Sequence, residues 1–194
     1  MGEITHQEAV ISDITLILEA AEFAAARHQK QKRKGKSRRP YIGHCIEVAA
    51  TIATVAGLED PNVLAAALLH DTVEDTRTTR EEIREQFGSA VDDLVAEVTD
   101  DKRLKKQKRK QAQIDHAPHL SPGAKVIKLA DKISNVREIA HDPPKQWSVK
   151  RREKYFDWAN AVVVAMGDVD PELESRFAET LAEARAILKK ESGT

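Results

Sequence analysis

The sequence predicts an all-α fold, a compact single domain of many helices, and three observations carry that expectation. Apolar residues return at helical spacing over long stretches, most clearly at Val126, Ile127, Leu129, Ala130, Ile133, Val136 and Ile139. Helix-start signals recur: Asp60-Pro61, Ser121-Pro122 and Asp170-Pro171 each set a capping side chain before a proline suited to the first turn. No stretch alternates apolar and polar residues with the period of a half-buried strand. At 194 residues the chain is long enough for one domain with a sizeable core, expected to span 1–194 with 1–12 and 191–194 at its periphery.

Taken in order, Thr5-His-Gln-Glu8 has capping-box spacing, and Ile14, Ile17, Leu18, Ala21, Ala24 and Ala25 follow at helical period. This predicts a helix, in one piece or two, ending near His28. Positions 30–39 hold seven Lys/Arg in ten residues and run into Pro40, which reads as a loop. Such a loop is either a solvated connector or a clamp for an anion. Pro40 leads into a second helix through about Ala56, with Gly57 as its stop. Asp60 starts a third helix that runs into His70-Asp71. Thr79-Arg-Glu-Glu82 is a further capping box whose short helix closes at Gly88, and Ser89 to Thr99 forms the next helix. Positions 102–110 carry seven Lys/Arg in nine residues, so 102–115 is expected on the surface, helical or mobile. Helices from Pro122 to about Ala140, Ser148 to Met166 and Pro171 to Lys190 complete the chain.

Composition narrows the function classes. Charged residues make up 32% but the net charge is −1, so the whole molecule is no polycation seeking nucleic acid. The single cysteine, Cys45, excludes an intrachain disulfide and suits a reducing cytoplasm. It reads as a small core residue. No apolar run approaches the ~18 residues of a membrane span. The N-terminus lacks the basic and apolar regions of a signal peptide. A soluble cytoplasmic protein is expected, with neither nucleic acid nor membrane as partner.

The chemistry concentrates at 65–75. Ala65 to Leu69 carry no polar side chain, and then His70, Asp71, Glu74 and Asp75 arrive together. On one continuous helix His70 and Glu74 would share a side, as would Asp71 and Asp75. Burying such groups unpaired costs several kcal/mol per charge, and a divalent cation would compensate. Alternatively Glu74 and Asp75 simply begin a solvated loop. Asp131, set among Leu129, Ala130 and Ile133, is an odd place for a lone carboxylate unless Lys128 or Lys132 neutralises it as a surface pair. His44, at the start of the second helix, reads either as structural or as a ligand. His44, His70, Asp71 and Asp131 would come from three predicted helices, and two imidazoles with two carboxylates favour Mn²⁺ or Fe²⁺ over structural zinc. The two basic stretches point to a phosphate-bearing substrate.

The order of His44, His70-Asp71 and Asp131 resembles that of the HD metal-dependent phosphohydrolases. Pro40-Tyr-Ile-Gly-His44, Ala67-Leu-Leu-His-Asp-Thr-Val-Glu-Asp-Thr76 and Val126-Ile-Lys-Leu-Ala-Asp-Lys-Ile-Ser-Asn135 resemble, more narrowly, the hydrolase domain of RelA/SpoT proteins. The small stand-alone members, metazoan SpoT homologues and bacterial small alarmone hydrolases, are the most similar, over about Ala20 to Trp158. The resemblance implies hydrolysis of the 3′-pyrophosphate of guanosine tetra- or pentaphosphate (ppGpp, pppGpp) to GDP or GTP and pyrophosphate. This activity ends or tunes the stringent response. It implies one Mn²⁺ per chain on His44, His70, Asp71 and Asp131. Glu74 and Asp75 would orient and deprotonate the attacking water. Arg33, Lys34 and Asn135 would contact the nucleotide, and Lys106, Arg151 and Tyr155 would line its phosphate end. Gly43 and Cys45 flank His44 where relatives often carry Asn and Pro. With no synthetase segment in the sequence, degradation without synthesis is expected.

Three rivals stand beside this expectation. A related HD phosphohydrolase, either a nucleotidase or an NADPH 2′-phosphatase, would use the same metal site. A nucleic-acid-binding module would use the basic stretches and bind with steep salt dependence. A silent nucleotide sensor would commonly lack a ligand or the acid pair, and all six residues are present.

Overall fold

The computed structural model describes residues 6–193. Its helices are α1 (His6–His28), α2 (Ile42–Val55), α3 (Pro61–Leu69), α4 (Thr72–Asp75), α5 (Arg80–Phe87), α6 (Ser89–Val98), α7 (Lys106–His116), α8 (Pro122–His141), α9 (Val149–Met166) and α10 (Pro171–Glu191). A 3-10 turn at Ala117–His119 joins α7 to the segment before α8. Among the described residues the only β-type pairing is an isolated bridge between Lys32 and Pro40. The all-α expectation holds. The Thr5–Glu8 capping box falls partly outside the described residues, and α1 runs to His28 in one piece.

Two helices form the centre. Asp60 accepts the N–H groups of Asn62 and Val63, and with Pro61 behind it α3 starts where the sequence indicates. Every residue from Val63 to Leu69 is buried. The small Ala65, Ala66 and Ala67 let α1, α2, α6 and α8 pack closely around α3. Leu69 is fully buried, and truncation to alanine at such a site costs about 2–5 kcal/mol. The other central helix, α8, is capped by Ser121 and packs against α2, α3, α6, α9 and α10. It is buried on more than its apolar stripe, because Lys128, Asp131, Lys132, Ser134 and Glu138 are inside as well.

The capping box at Thr79 forms with both bonds, Glu82 N–H to Thr79 Oγ1 and Thr79 N–H to the Glu82 carboxylate. Gly57 follows the last turn of α2 with φ +62°, the left-handed conformation glycine adopts at no steric penalty. No helix among the described residues is long and apolar enough to cross a membrane.

Three local details refine these readings. On α1, Ala20 and Ala24 face the core, whereas Ile14 and Leu18 stand 52% and 63% exposed, so the apolar stripe is wider than the face that packs. The helix from Pro61 ends in the His70-Asp71 segment, as expected, and the chain resumes as the short α4. The break falls there because His70 Nδ1 takes the Ala67 carbonyl at 2.7 Å and Thr72 Oγ1 takes the Leu69 carbonyl at 2.6 Å. Those side chains replace the backbone donors that would propagate the helix. The basic 102–115 stretch lies on the surface and is helical from Lys106, as expected. Trp158 Nε1 donates to the Lys110 carbonyl at 3.0 Å, and the Lys110 ammonium sits 4.3 Å from the Trp158 ring centre, which seats α7 on α9.

Candidate active site

The start of α2, the α3–α4 break and the middle of α8 meet at one point. His44 lies in the first turn of α2, Asp131 in the middle of α8, and His70-Asp71 in the break between α3 and α4. Ligand atoms of His44, His70 and Asp131 all lie within 4.8 Å of one another. Asp71 Oδ2 is 3.1 Å from His70 Nε2 and 3.7 Å from His44 Nε2. Asp131 Oδ1 is 3.3 Å from His44 Nε2 and 3.9 Å from His70 Nε2.

The second nitrogen of each ring is already engaged. His70 Nδ1–H must be the donor to the Ala67 carbonyl, because a carbonyl only accepts. His44 Nδ1 bonds Ser134 Oγ at 2.9 Å. Both Nε2 atoms are buried without a hydrogen-bond partner. Buried polar atoms are rarely left so, and two orphan imidazole nitrogens facing two carboxylates fit a divalent cation. The protein groups themselves are strongly biased. Burial lowers the pKa of His44, against the pull of Asp131. Burial also opposes charge on His70, but Asp71 and Asp131 outweigh it and push that ring up to about 9. Despite burial, His70 and His44 hold Asp71 below the usual carboxylate range, and Lys132 and His44 hold Asp131 well below it.

Asp131 is fixed from two sides. Lys132 Nζ donates to Oδ2 at 3.0 Å and Asn135 Nδ2 donates to Oδ1. Lys132 is not the surface partner that the sequence suggests: its ammonium is buried, with the side chain 3% exposed. It compensates the carboxylate internally, and Lys128 instead donates to the Val98 carbonyl at 2.8 Å.

Above this point opens a cavity of about 430 Å³ whose wall includes His70, Asp71 and Asp131. Glu74 and Asp75 of α4 reach the same space. Glu74 Oε2 accepts the Asp100 N–H at 3.1 Å, and Lys102 pairs with Asp75. Burial, with Asp100 and Asp71 nearby, pushes Glu74 up to about 7, the range of a working general base. Lys34, Lys106, Arg151, Asn135 and Tyr155 line the cavity too. Among the described residues no carboxylate pairs with Lys34, Lys106, Lys110 or Arg151, and Lys106, Lys110 and Arg151 lie over aromatic rings instead, so this part of the wall keeps its positive charge.

A second cavity of about 230 Å³ adjoins the first and shares Lys34, Tyr41, Asp75, Asn135, Trp147 and Tyr155 with it. Arg33 forms part of its wall. The guanidinium is fastened by Glu138 and by Asn135 Oδ1 at 2.6 Å, and lies 5.3 Å from the Tyr41 ring centre. All twelve singled-out residues thus fall on one centre and its two cavities. Sequence reasoning missed Tyr41, whose hydroxyl donates to Asp71 Oδ2 at 2.6 Å, and Glu138, which holds Arg33. It also missed that both tryptophans of the chain, Trp147 and Trp158, face the larger cavity. The scarcity of that residue was the available signal.

An all-α frame that brings His, His-Asp and Asp together from separate helices defines an HD-type hydrolase scaffold. Residues 20–156 match the family described as HD domain, and the chain belongs to that family, within its RelA/SpoT group. It is 50% identical over 166 residues to the guanosine-3′,5′-bis(diphosphate) 3′-pyrophosphohydrolase MESH1 of Xenopus tropicalis, covering 86% of this chain and 93% of that one. The human MESH1 of the same description is 50% identical over 163 residues, covering 84% and 91%. A solved structure of a metazoan orthologue of SpoT, described as hydrolysing ppGpp and acting in starvation responses, superposes with a TM-score of 0.85. It is 41% identical and covers 89% of this chain and 96% of that one.

Proposed function

We propose that this protein hydrolyses the 3′-pyrophosphate of ppGpp and pppGpp, releasing pyrophosphate and GDP or GTP. The observation that carries the reading is the pair of unpartnered His44 and His70 Nε2 atoms beside Asp71 and Asp131, beneath a cavity walled by unpaired cations. The MESH1 relatives, described as having this activity, support it.

His44, His70, Asp71 and Asp131 would hold one Mn²⁺, favoured by a donor set of two imidazoles and two carboxylates without thiolate. Bound there, the cation supplies Lewis acidity and lowers the pKa of water. Glu74 takes a proton from the attacking water, and Asp75 orients that water. The water oxygen adds to the phosphorus on the 3′ oxygen, and the P–O3′ bond breaks. The ribose keeps that oxygen as a hydroxyl after taking up a proton, and pyrophosphate departs. Lys106 and Arg151 neutralise phosphate charge, Tyr155 and Asn135 position the ribose end, and Lys34 meets a phosphate as a point charge. Arg33, held flat by Glu138 and Asn135, offers a plane on which a purine stacks. The fold serves as one hydrolase domain across the chain. The single buried cysteine fits a cytoplasmic setting.

The test is product analysis. Metal-loaded protein should release pyrophosphate from ppGpp, and release of orthophosphate alone would overturn the reading.

A further inference from the structure

We infer that Asp142, at the end of α8, is a latch that holds the 33–38 loop in its nucleotide-binding shape, a positioning role that rests on the proposed function. The loop is built as a closed turn. Arg33 N–H donates to the Arg39 carbonyl at 2.9 Å, Tyr41 N–H to the Gln31 carbonyl at 3.1 Å, and Arg38 N–H to the Gly35 carbonyl at 3.3 Å. Arg38 sits at φ +52°, a left-handed conformation uncommon for a residue other than glycine.

Support for the loop comes from a residue more than a hundred positions away. Asp142 Oδ1 accepts the Lys36 N–H at 2.7 Å and the Ser37 N–H at 3.2 Å, while Oδ2 accepts the Ser37 hydroxyl. Bonds to a carboxylate are the stronger kind, and successive backbone N–H groups turned toward one anion form a nest. Gly35 completes the fit. A Cβ there would lie 2.3 Å from Asp142 Oδ2 and 2.6 Å from the Asp142 carbonyl oxygen, so only glycine permits the approach.

The same face of α8 orders the rest. Asp131, Asn135, Glu138 and Asp142 follow one another at helical spacing. The first stands at the metal centre, Asn135 and Glu138 grip Arg33, and Asp142 closes the loop beyond it. One rigid helix therefore sets the distance between the reacting centre and Arg33-Lys34. Releasing the last grip leaves the chemistry intact and disorders the binding loop, so its effect falls on KM.

The experiment compares wild type with Asp142→Ala, Asp142→Asn, Gly35→Ala and Lys36→Ala in the Mn²⁺-loaded protein. Steady-state hydrolysis of ppGpp is measured together with amide hydrogen exchange at Lys36 and Ser37. Asp142→Ala and Gly35→Ala should raise KM about tenfold with kcat within twofold, and speed exchange at both amides. Asp142→Asn keeps an acceptor oxygen for the two N–H groups and should recover most of the loss. Lys36→Ala keeps the backbone donor and should resemble wild type. Unchanged KM in Asp142→Ala, or unchanged exchange, would overturn the latch. A parallel fall in kcat would do the same, because it would mean a general structural role. Wild-type protein that leaves ppGpp intact would overturn the proposed function and the latch's purpose with it, and that control separates the two failures.

Discussion

His70 donates its Nδ1–H to the carbonyl of Ala67 at 2.7 Å, and this one bond decides which ring nitrogen faces Asp71 and Asp131. With Nδ1 committed, Nε2 is the atom left without a partner, and it carries the lone pair once the ring is neutral. Chelator-stripped protein should therefore lose activity and regain it best with Mn²⁺. His70→Ala and Asp131→Ala should each lower bound metal at least tenfold, on the order of what losing a protein ligand or its support does. Elemental analysis checks this, and equal metal content in wild type and both variants would remove the centre.

Glu74 should divide function from stability. Glu74→Gln keeps the size of the side chain and removes the basic oxygen, so turnover should fall about a hundredfold or more with metal retained. Burial, with Asp100 and Asp71, lifts the Glu74 pKa from 4.5 to about 7, so folding favours its neutral form. Stability from that preference is fully present below pH 4.5 and is lost as pH rises through about 7. In metal-free protein above pH 7, Glu74→Gln should thus be more stable than wild type by roughly 2 kcal/mol, given 1.36 kcal/mol per pKa unit and partial exposure. The difference should vanish by about pH 4 in denaturant titrations. A variant less stable at pH 8 than wild type would contradict the electrostatics described for this pair.

Arg33 should show two separable effects. Its guanidinium is the partner of Glu138, whose side chain is only 8% exposed. Arg33→Ala strands that carboxylate and should destabilise the fold by about 3 kcal/mol. Adding Glu138→Gln should return much of the stability without returning the binding, so KM for ppGpp should stay high in the double variant. Arg33→Lys should recover charge but only part of KM, because an ammonium has no stacking plane. If the double variant restores KM to the wild-type value, Arg33 is a structural ion pair and not a contact to the nucleotide.

The helices were legible because their caps and periods are local. Asp60-Pro61 and Thr79-x-x-Glu82 state their own starts, and α8 announces itself through its apolar repeat. The cluster of His44, His70, Asp71 and Asp131 was legible because carboxylates and imidazoles set among apolar residues call for compensation. The end of α3 at His70-Asp71 was legible, but the restart as α4 was not, since the break depends on two side chains taking carbonyls that a helix would otherwise use. Nor was the burial of Lys132, which periodicity alone cannot distinguish from a surface lysine. Asp142 escaped for a different reason: its partners lie across the fold, and only tertiary packing brings a loop amide to a helix end.

The most direct test of the central claim is product analysis on Mn²⁺-loaded protein given ppGpp and NADPH side by side. Pyrophosphate and GDP should appear from ppGpp in equal amounts, and the reaction should stop on chelation and in Asp131→Ala. Intact ppGpp with orthophosphate released from NADPH would contradict the claim, making this centre a phosphatase for a different nucleotide.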